Sequence, residues 1–354
     1  MDASEPTPNQ ALRIIDANLN RIGESLRLLE DLARLLLNDA ALAKQLKTMR
    51  HTLAIKELPT KKQLLQARNA EGDVGINIEV RQQAKERDLP ATIIANARRA
   101  QESLRVIEEL SKVPGIDLEP DKFKRARFSL YDIERALVSK LLRRDKIERI
   151  CGLYAIIDTQ SLKSRSHDEV ATQVLDGGAK IIQLRDKAMP QKELLPIARR
   201  LKSLCAKNSA LFIVNDYLDI ALAADADGLH LGQDDLPVKA ARQLLPIDKI
   251  IGCSVTDIPQ AVAAEADSAD YIAVSAIYPT KSRELTAVVG LEMIKAIKKE
   301  ISLPLVAIGG ITQDNAEEVL AAGADSFAVI SAIMQARSPK EATRQIIDKL
   351  GMRN

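Results

Sequence analysis

Three side chains able to hold an anion occupy alternate positions in the stretch Ile181-Ile182-Gln183-Leu184-Arg185-Asp186-Lys187. Side chains alternate faces along a strand, so Gln183, Arg185 and Lys187 point the same way. An amide, a guanidinium and an ammonium at the C-terminal end of a buried strand suit a phosphorylated ligand, because α/β folds bind ligands at that end. Two carboxylates, Asp216 and Asp235, follow the next two strand-like runs. As hard oxygen ligands they suit Mg²⁺ bridging a di- or triphosphate; the competing reading is that each caps a helix. Gly309-Gly310 and Ser331 follow the last two runs, where barrel folds place a monophosphate and where glycine lets backbone N–H groups come close to it. The residues therefore suggest two anionic subsites, one for a diphosphate with Mg²⁺, Arg185, Lys187 and Arg283, the other for a monophosphate. His230 is the one imidazole among them. No nucleophile stands beside a base and no lysine lies in an apolar pocket. Electrostatic stabilisation of a departing diphosphate fits better than covalent catalysis.

Positioning these groups takes a repeated strand-and-helix scaffold, and from Cys151 onward the sequence has that pattern. Strands are expected at Gly152–Ile157, Ile181–Leu184, Leu211–Val214, Gly228–Leu231, Ile250–Cys253, Tyr271–Val274, Leu305–Ile308 and Phe327–Ile330. Helical periodicity falls between them, as at Asp168–Leu175, Leu194–Asn208, Leu291–Glu300 and Ala316–Ala322. Ser166 with Glu169 reads as a capping box on the first of these. Polar residues follow the strands at one end: Asn215, His230, Ser254, Thr280, Ser282 and Arg283 join those already named. The fold class is α/β, a (β/α)₈ TIM barrel. A doubly wound open sheet is the alternative, but no Gly-x-Gly-x-x-Gly follows the first strand.

The chain before the barrel reads as all-α and internally duplicated. Helices are expected over Ala11–Leu37, Ala40–Leu58, Lys61–Ala67, Ala91–Val113 and Asp121–Arg144, with a glycine-punctuated loop from Arg68 to Gly75. Asn18, Arg21, Glu24-Ser25-Leu26-Arg27 and Glu30 recur as Asn96, Arg99, Glu102-Ser103-Leu104-Arg105 and Glu108. Lys47 and Arg50 recur as Lys124 and Arg127. Two related helical hairpins should pack as a small bundle. On a helical wheel Asn18 and Ser25 fall inside the apolar stripe and Arg21 on its edge, with Asn96, Ser103 and Arg99 in the same places. Such polar groups either bond across the repeat interface or line a pocket between the halves, which Arg68 and Asp73 would close. The domain limits read as a disordered lead-in over 1–9, the helical domain over 10–147 and the barrel over 148–354.

Composition excludes several classes. A net charge of +2 with 3% aromatic residues and no Trp gives neither the field nor the stacking platforms of a nucleic-acid binder. No apolar run approaches membrane-spanning length, and the N-terminus lacks a secretory h-region. The three cysteines have neither metal-ligand spacing nor an even disulfide set, so a reducing, cytoplasmic setting is expected. Partners should be small molecules, with a homo-oligomer left open.

Taken together, the barrel residues resemble the thiamine phosphate synthase family. The motifs are Gln183-Leu-Arg-Asp-Lys187, Asn215-Asp216, His230-Leu-Gly-Gln-Asp-Asp235-Leu-Pro237, Ser254-Val-Thr256, Val289-Gly-Leu-Glu292, Ala307-Ile-Gly-Gly-Ile311 and Ile330-Ser-Ala332. The resemblance implies joining hydroxymethylpyrimidine diphosphate to a thiazole phosphate with release of pyrophosphate, through a pyrimidine-methyl cation captured by the thiazole nitrogen. It implies that Gln183, Arg185, Lys187, Asn215, His230, Ser254 and Arg283 hold the pyrimidine diphosphate. Asp216 and Asp235 would hold Mg²⁺, and Thr280, Ser282, Gly309, Gly310, Ile330 and Ser331 the thiazole phosphate. Where the family usually reads Thr-x-Thr-Lys, this chain reads Thr280-Lys-Ser282-Arg283, which keeps hydroxyl and charge but replaces a point donor with a planar fork. Ser275-Ala276-Ile277 lacks the family's usual Gly-Pro. A related thiazole tautomerase shares the barrel but typically lacks the paired carboxylates. The helical part is similar to a domain fused ahead of this synthase in some bacteria and associated with phosphorylating hydroxymethylpyrimidine phosphate, which would make ATP a further substrate. No P-loop is present, so a non-catalytic, dimerising role is the other reading.

Overall fold

Eight short, largely apolar runs form eight parallel strands that close on themselves in sequence order. The structure, a computed structural model, describes residues 8–55, 57–69, 87–280 and 287–351. The chain divides into two compact units, residues 1–142 and 143–354.

In the first unit, α1 (Pro8–Asp31) runs into a π-helical turn at Leu32–Leu36, followed by α2 (Ala40–Leu53) and α3 (Leu58–Ala67). The second repeat supplies α4 (Leu89–Leu110) and α5 (Pro120–Glu148), whose residues from Arg143 on belong to the second unit. The long first helix expected from periodicity thus ends in a wider turn. The second stops at Leu53 rather than Leu58, because Ala54 turns to an extended ψ of 130°. Pro59 opens α3 instead of ending α2, in the first turn where a missing N–H costs nothing. The repeats pack chiefly through α1 against α4, with Ile15, Ile22, Leu26, Leu29, Ile93, Ala97, Leu104 and Ile107 buried. The same ion pair braces each repeat: Arg50 holds Glu30 at 2.9 Å and Arg127 holds Glu108 at 3.0 Å.

The second unit is the expected TIM barrel. Its strands are β1 (Gly152–Asp158), β2 (Ile181–Arg185), β3 (Leu211–Asn215), β4 (Gly228–Leu231), β5 (Ile250–Val255), β6 (Tyr271–Val274), β7 (Leu305–Ile308) and β8 (Ser326–Val329). Between and after them come α6 (His167–Asp176), α7 (Gln191–Lys207), α8 (Leu218–Ala223), α9 (Val238–Leu244), α10 (Ile258–Ala266), α11 (Gly290–Glu300), α12 (Ala316–Ala321), α13 (Ser331–Met334) and α14 (Pro339–Lys349). The Ser166 side chain accepts from Glu169 N as the capping reading required. One apolar cluster fills the space between strands and helices, and a second fills the barrel interior with Tyr154, Ile156, Ile181, Leu211, Ile213, Ile250, Tyr271 and Val306.

The N-terminal rim of the barrel is held by a repeated carboxylate clasp. Asp227, Asp270 and Asp325 precede β4, β6 and β8, and each accepts an N–H from the strand before: Phe212 at 2.9 Å, Ile251 at 2.8 Å and Leu305 at 2.7 Å. Each is also paired with a cation, namely Lys202, Arg242 with Arg143, and Lys298. These carboxylates sit at the stabilising end of the barrel, away from the strand C-termini. No helix among the described residues is long and apolar enough to cross a membrane.

Candidate active site

A cavity opens at the C-terminal ends of the strands. Tyr154 and Ile156 of β1, Gln183 and Arg185 of β2, Asn215, His230 and Ser254 line one side. Thr280, Ile308, Gly309, Gly310, Ile330 and Ser331 line the other. Small residues at the mouth, Ala273 and Ala328, leave the interior hollow there. Of the residues singled out by sequence, these are brought together directly. Ser282 and Arg283 lie outside the described residues.

Lys187 is two residues past the end of β2 and stands outside the cavity lining. Its ammonium is 2.7 Å from Asp216 Oδ2. Asp216 follows β3 at φ +63°, a left-handed conformation that Asp tolerates better than most residues, with its N–H donating to His230 O at 2.9 Å. Asp235, in the turn after β4, accepts the Gly232 N–H at 2.6 Å and faces the Asp216 side chain. Neither carboxylate caps a helix: α8 and α9 begin after Tyr217 and Pro237 instead. Burial, together with the facing Asp235, raises the Asp216 carboxyl above its usual range against the pull of Lys187. Burial opposes ionisation at Asp235 too, but the bonds from Asp216 and the Gly232 N–H, with the Lys187 charge, outweigh it and hold that carboxyl low. Two facing carboxylates with an ammonium alongside ionise as one linked unit.

Arg185 does not project freely into the cavity. It is paired with Asp158 at the end of β1, whose other oxygen accepts the Gln160 N–H at 2.9 Å. A chain of buried hydrogen bonds crosses the barrel beneath it. Gln183 Nε2 donates to Tyr154 Oη at 3.0 Å, and Tyr154 and Tyr271 hydroxyls meet at 2.9 Å. Tyr271 Oη lies 3.1 Å from His230 Nδ1, and His230 Nε2 is 3.0 Å from Ser254 Oγ. A relay from the donating Gln183 amide, in which each tyrosine gives its proton onward, His230 accepts at Nδ1 and its Nε2–H donates to Ser254, would satisfy every group and leave the Ser254 hydroxyl proton for a ligand. Burial raises both tyrosine hydroxyls well above the usual phenolic range, so they stay protonated and able to donate.

The phosphate-type loops are glycine-dependent for a steric reason. Gly309 and Gly310 have φ of +104° and +65°, and a Cβ on Gly310 would fall 2.6 Å from Pro279 O. Side chains there would be strained and would collide with the loop after β6.

Sequence reasoning missed Asp158, Tyr154 and Tyr271. The tyrosines were legible in principle: a phenol inside a barrel strand must find a partner for its hydroxyl. Asp158 reads as a strand end until β1 is set beside β2, where it registers against Arg185. In the helical unit, the described polar residues of the apolar stripe make local bonds. Asn18 and Asn96 bond the carbonyls of Ile14 and Thr92, one turn back on their own helices, at 2.8 and 2.9 Å. Arg99 bonds Asn96, while Arg68 pairs with Asp16 at 2.7 Å and Arg21 is exposed. Asp73 lies outside the described residues.

Comparison with known proteins agrees with this geometry. A family model described as thiamine monophosphate synthase matches residues 153–333, and one described as the ThiD2 family matches residues 13–136. A thiamine-phosphate synthase of Thermosynechococcus vestitus is 38% identical over 338 residues, covering 96% of this chain and 94% of the relative. One from Methanospirillum hungatei is 50% identical over 199 residues, covering 56% of this chain and 97% of the relative. The solved thiamine phosphate pyrophosphorylase from Pyrococcus furiosus superposes with a TM-score of 0.54 at 40% identity, over 58% of this chain and 98% of its own. With a barrel whose polar rim carries the motifs, a model match over half its length and relatives that align nearly end to end, the chain belongs to the thiamine monophosphate synthase family.

Proposed function

We propose that the barrel joins hydroxymethylpyrimidine diphosphate to a thiazole phosphate and releases pyrophosphate. The observation that carries this reading is the meeting of Arg185, Lys187 and the Asp216–Asp235 pair at one rim, beside a cavity of ring size with glycine loops on its far side. Gln183, Asn215, His230 and Ser254 orient the pyrimidine. Arg185, Lys187 and Arg283 hold its diphosphate. Thr280, Ser282, Gly309, Gly310, Ile330 and Ser331 receive the thiazole phosphate. The single Ser254 hydroxyl proton then meets an acceptor on the pyrimidine ring.

Asp216 and Asp235 fit a divalent cation. They are two facing carboxylates with the Lys187 ammonium alongside. Two carboxylates are enough for Mg²⁺, which takes one or two and completes its shell with water and phosphate oxygens. When bound, Mg²⁺ supplies positive charge to the departing diphosphate. The chain's own cations add to that charge, since Arg185 exchanges Asp158 for a phosphate oxygen and Lys187 stays beside Asp216. The apolar walls from Ile156, Val306 and Ile308 keep water from the cationic carbon until the thiazole nitrogen reaches it. Replacing Asp216 with Ala should abolish Mg²⁺-dependent thiamine phosphate formation with the fold intact. Full activity would remove the metal role.

We infer that the helical unit makes the barrel's substrate by phosphorylating hydroxymethylpyrimidine phosphate with ATP. The ThiD2-family match over residues 13–136 and the fusion to a barrel that consumes the diphosphate support this. Full-length Asp216→Ala protein, given ATP and the monophosphate, should accumulate the pyrimidine diphosphate. No accumulation would leave the helical unit a non-catalytic module.

A further inference from the structure

The helical unit carries a cationic groove that the barrel chemistry does not use. Arg27 on α1 and Arg34 in the π turn face Lys44, Lys47 and Arg50 of α2 across it, with Glu30 at its base. The spacing is that of helical stripes: Arg27, Glu30 and Arg34 are three and four residues apart, and Lys44, Lys47 and Arg50 three apart. Arg50 is spoken for, bonding Glu30 through Nε at 3.0 Å and Nη2 at 2.9 Å. Arg27 and Arg34 share the one carboxylate of Asp31 at 3.3 and 3.2 Å and are more than half exposed. Lys44 and Lys47 have no ion-pair partner among the described residues. The groove runs on into a cleft floored by Leu19, Ile22 and Leu53, with Arg27 and Arg50 at the junction. The cleft is open at Gly23, where an added Cβ would meet nothing within 4 Å.

The duplication supplies an internal control. The second repeat keeps the bracing pair, Arg127 with Glu108, so that contact serves the scaffold in both copies. Part of the surplus charge is lost. Glu109, the counterpart of Asp31, pairs with Arg105 and Lys112 as Asp31 pairs with Arg27 and Arg34, and Lys47 is kept as Lys124. Asp121, however, stands where the first repeat has Lys44, and Arg105 is held by Glu108 as well. The π turn is likewise present in the first copy, whereas α4 ends at Leu110. Wide turns of this kind concentrate at functional sites. The repeat scaffold therefore packs with a carboxylate at the Lys44 position, so packing does not require that cation, and in the first repeat an apolar slot adjoins it.

We propose that this groove and cleft bind a phosphorylated heteroaromatic ligand, with phosphates among Arg27, Arg34, Lys44 and Lys47 and the ring over Gly23 against Leu19, Ile22 and Leu53. A nucleoside triphosphate and the pyrimidine phosphate share this chemistry. The site deepens the phosphotransfer reading of the helical unit, but its occupancy is read without any phosphate transfer, so either can fail alone.

Lysine footprinting on the full-length protein tests it. Acetylation rates at Lys44, Lys47 and Lys124 are followed by mass spectrometry with ATP, tripolyphosphate or hydroxymethylpyrimidine phosphate, against sodium chloride of equal ionic strength. Lys44 and Lys47 should be protected and their counterpart Lys124 should not. Protection by ATP at much lower concentration than by tripolyphosphate or the pyrimidine phosphate assigns the nucleotide, and the reverse order assigns the pyrimidine. The exposed-residue variant Arg27→Gln/Arg34→Gln should raise the half-protection concentration about tenfold or more, since each charged hydrogen bond lost costs about that factor. Lys112→Gln should leave it unchanged. Equal protection at Lys124, protection by salt alone, or none at all would overturn the site.

Discussion

Tyr271 occupies the volume that a side chain on its cross-strand partner Gly252 would fill: a Cβ there would lie 2.1 Å from Tyr271 Cζ. The glycine in β5 is what lets the phenol cross the barrel and reach both Tyr154 and His230. Gly252→Ala should therefore cost about 1–3 kcal/mol by overpacking and push the ring off its partners. Thermal unfolding should show the loss, and synthase activity should fall with it.

Tyr271→Phe separates packing from hydrogen bonding. The ring stays, but His230 Nδ1 and the Tyr154 hydroxyl each lose a buried partner. About 1–3 kcal/mol of stability should go with an unsatisfied buried group. The tautomer should loosen as well. In ¹⁵N-histidine spectra the native His230 should show protonation at Nε2, and the variant a mixture. A variant with native tautomer and native kcat would show that the tyrosine only fills space.

At the opposite rim, Asp270 accepts the Ile251 N–H and neutralises the buried Arg143 at 2.9 Å. Removing it leaves an uncompensated guanidinium, which is costly: Asp270→Ala should destabilise the barrel by about 3–5 kcal/mol. Denaturant titration should show a lower midpoint with KM values unaltered in the protein that remains folded. A shift in KM with no stability change would contradict a purely supporting role.

Most of the strands were legible because they are short runs rich in β-branched residues and buried on both faces, bounded by helices with their own period, as at Ile181–Arg185 and Leu305–Ile308. The rim residues were legible because sequence order dictates which strand end carries them. What sequence did not reveal depends on lateral neighbours. That Arg185 is neutralised by Asp158 follows from the β1–β2 register. That Asn18 bonds its own helix and not its counterpart across the bundle depends on a rotamer. The basic groove between α1 and α2 was hidden for the same reason: Arg27, Arg34, Lys44 and Lys47 look like an ordinary solvated face until two helices set them opposite one another.

The thiols and phenols of the barrel predict how it responds to alkali. Burial pushes Cys205 up to about 12 and Cys253 up to about 11, and raises Tyr154 and Tyr271 as well. In the unfolded chain these groups ionise near their ordinary values, so above about pH 8.5 the unfolded state binds fewer protons than the folded one. Stability should be intact below that pH and fall steadily as pH rises towards 11. Chevron or urea midpoints from pH 7 to 10.5 would check the sign. At pH 8 only the exposed Cys151 should react promptly with a thiol reagent, with Cys205 and Cys253 released on unfolding.

The Asp158–Arg185 pair should govern how tightly pyrophosphate is held. Asp158 is buried and its side chain lies against the guanidinium, so any phosphate that engages Arg185 must displace this contact. Asp158→Asn keeps the shape and the acceptor for the Gln160 N–H but drops the charge. The exchange is then less costly by about 1 kcal/mol, and product inhibition by pyrophosphate should tighten about fivefold. Because the guanidinium grips product as well as substrate, kcat should fall while KM for the diphosphate also falls, a pattern that simple loss of a structural contact does not give. Steady-state kinetics with added pyrophosphate reads both. An unchanged inhibition constant would mean that Arg185 never leaves Asp158 during turnover, and the diphosphate would then be held by Lys187 and Arg283 alone.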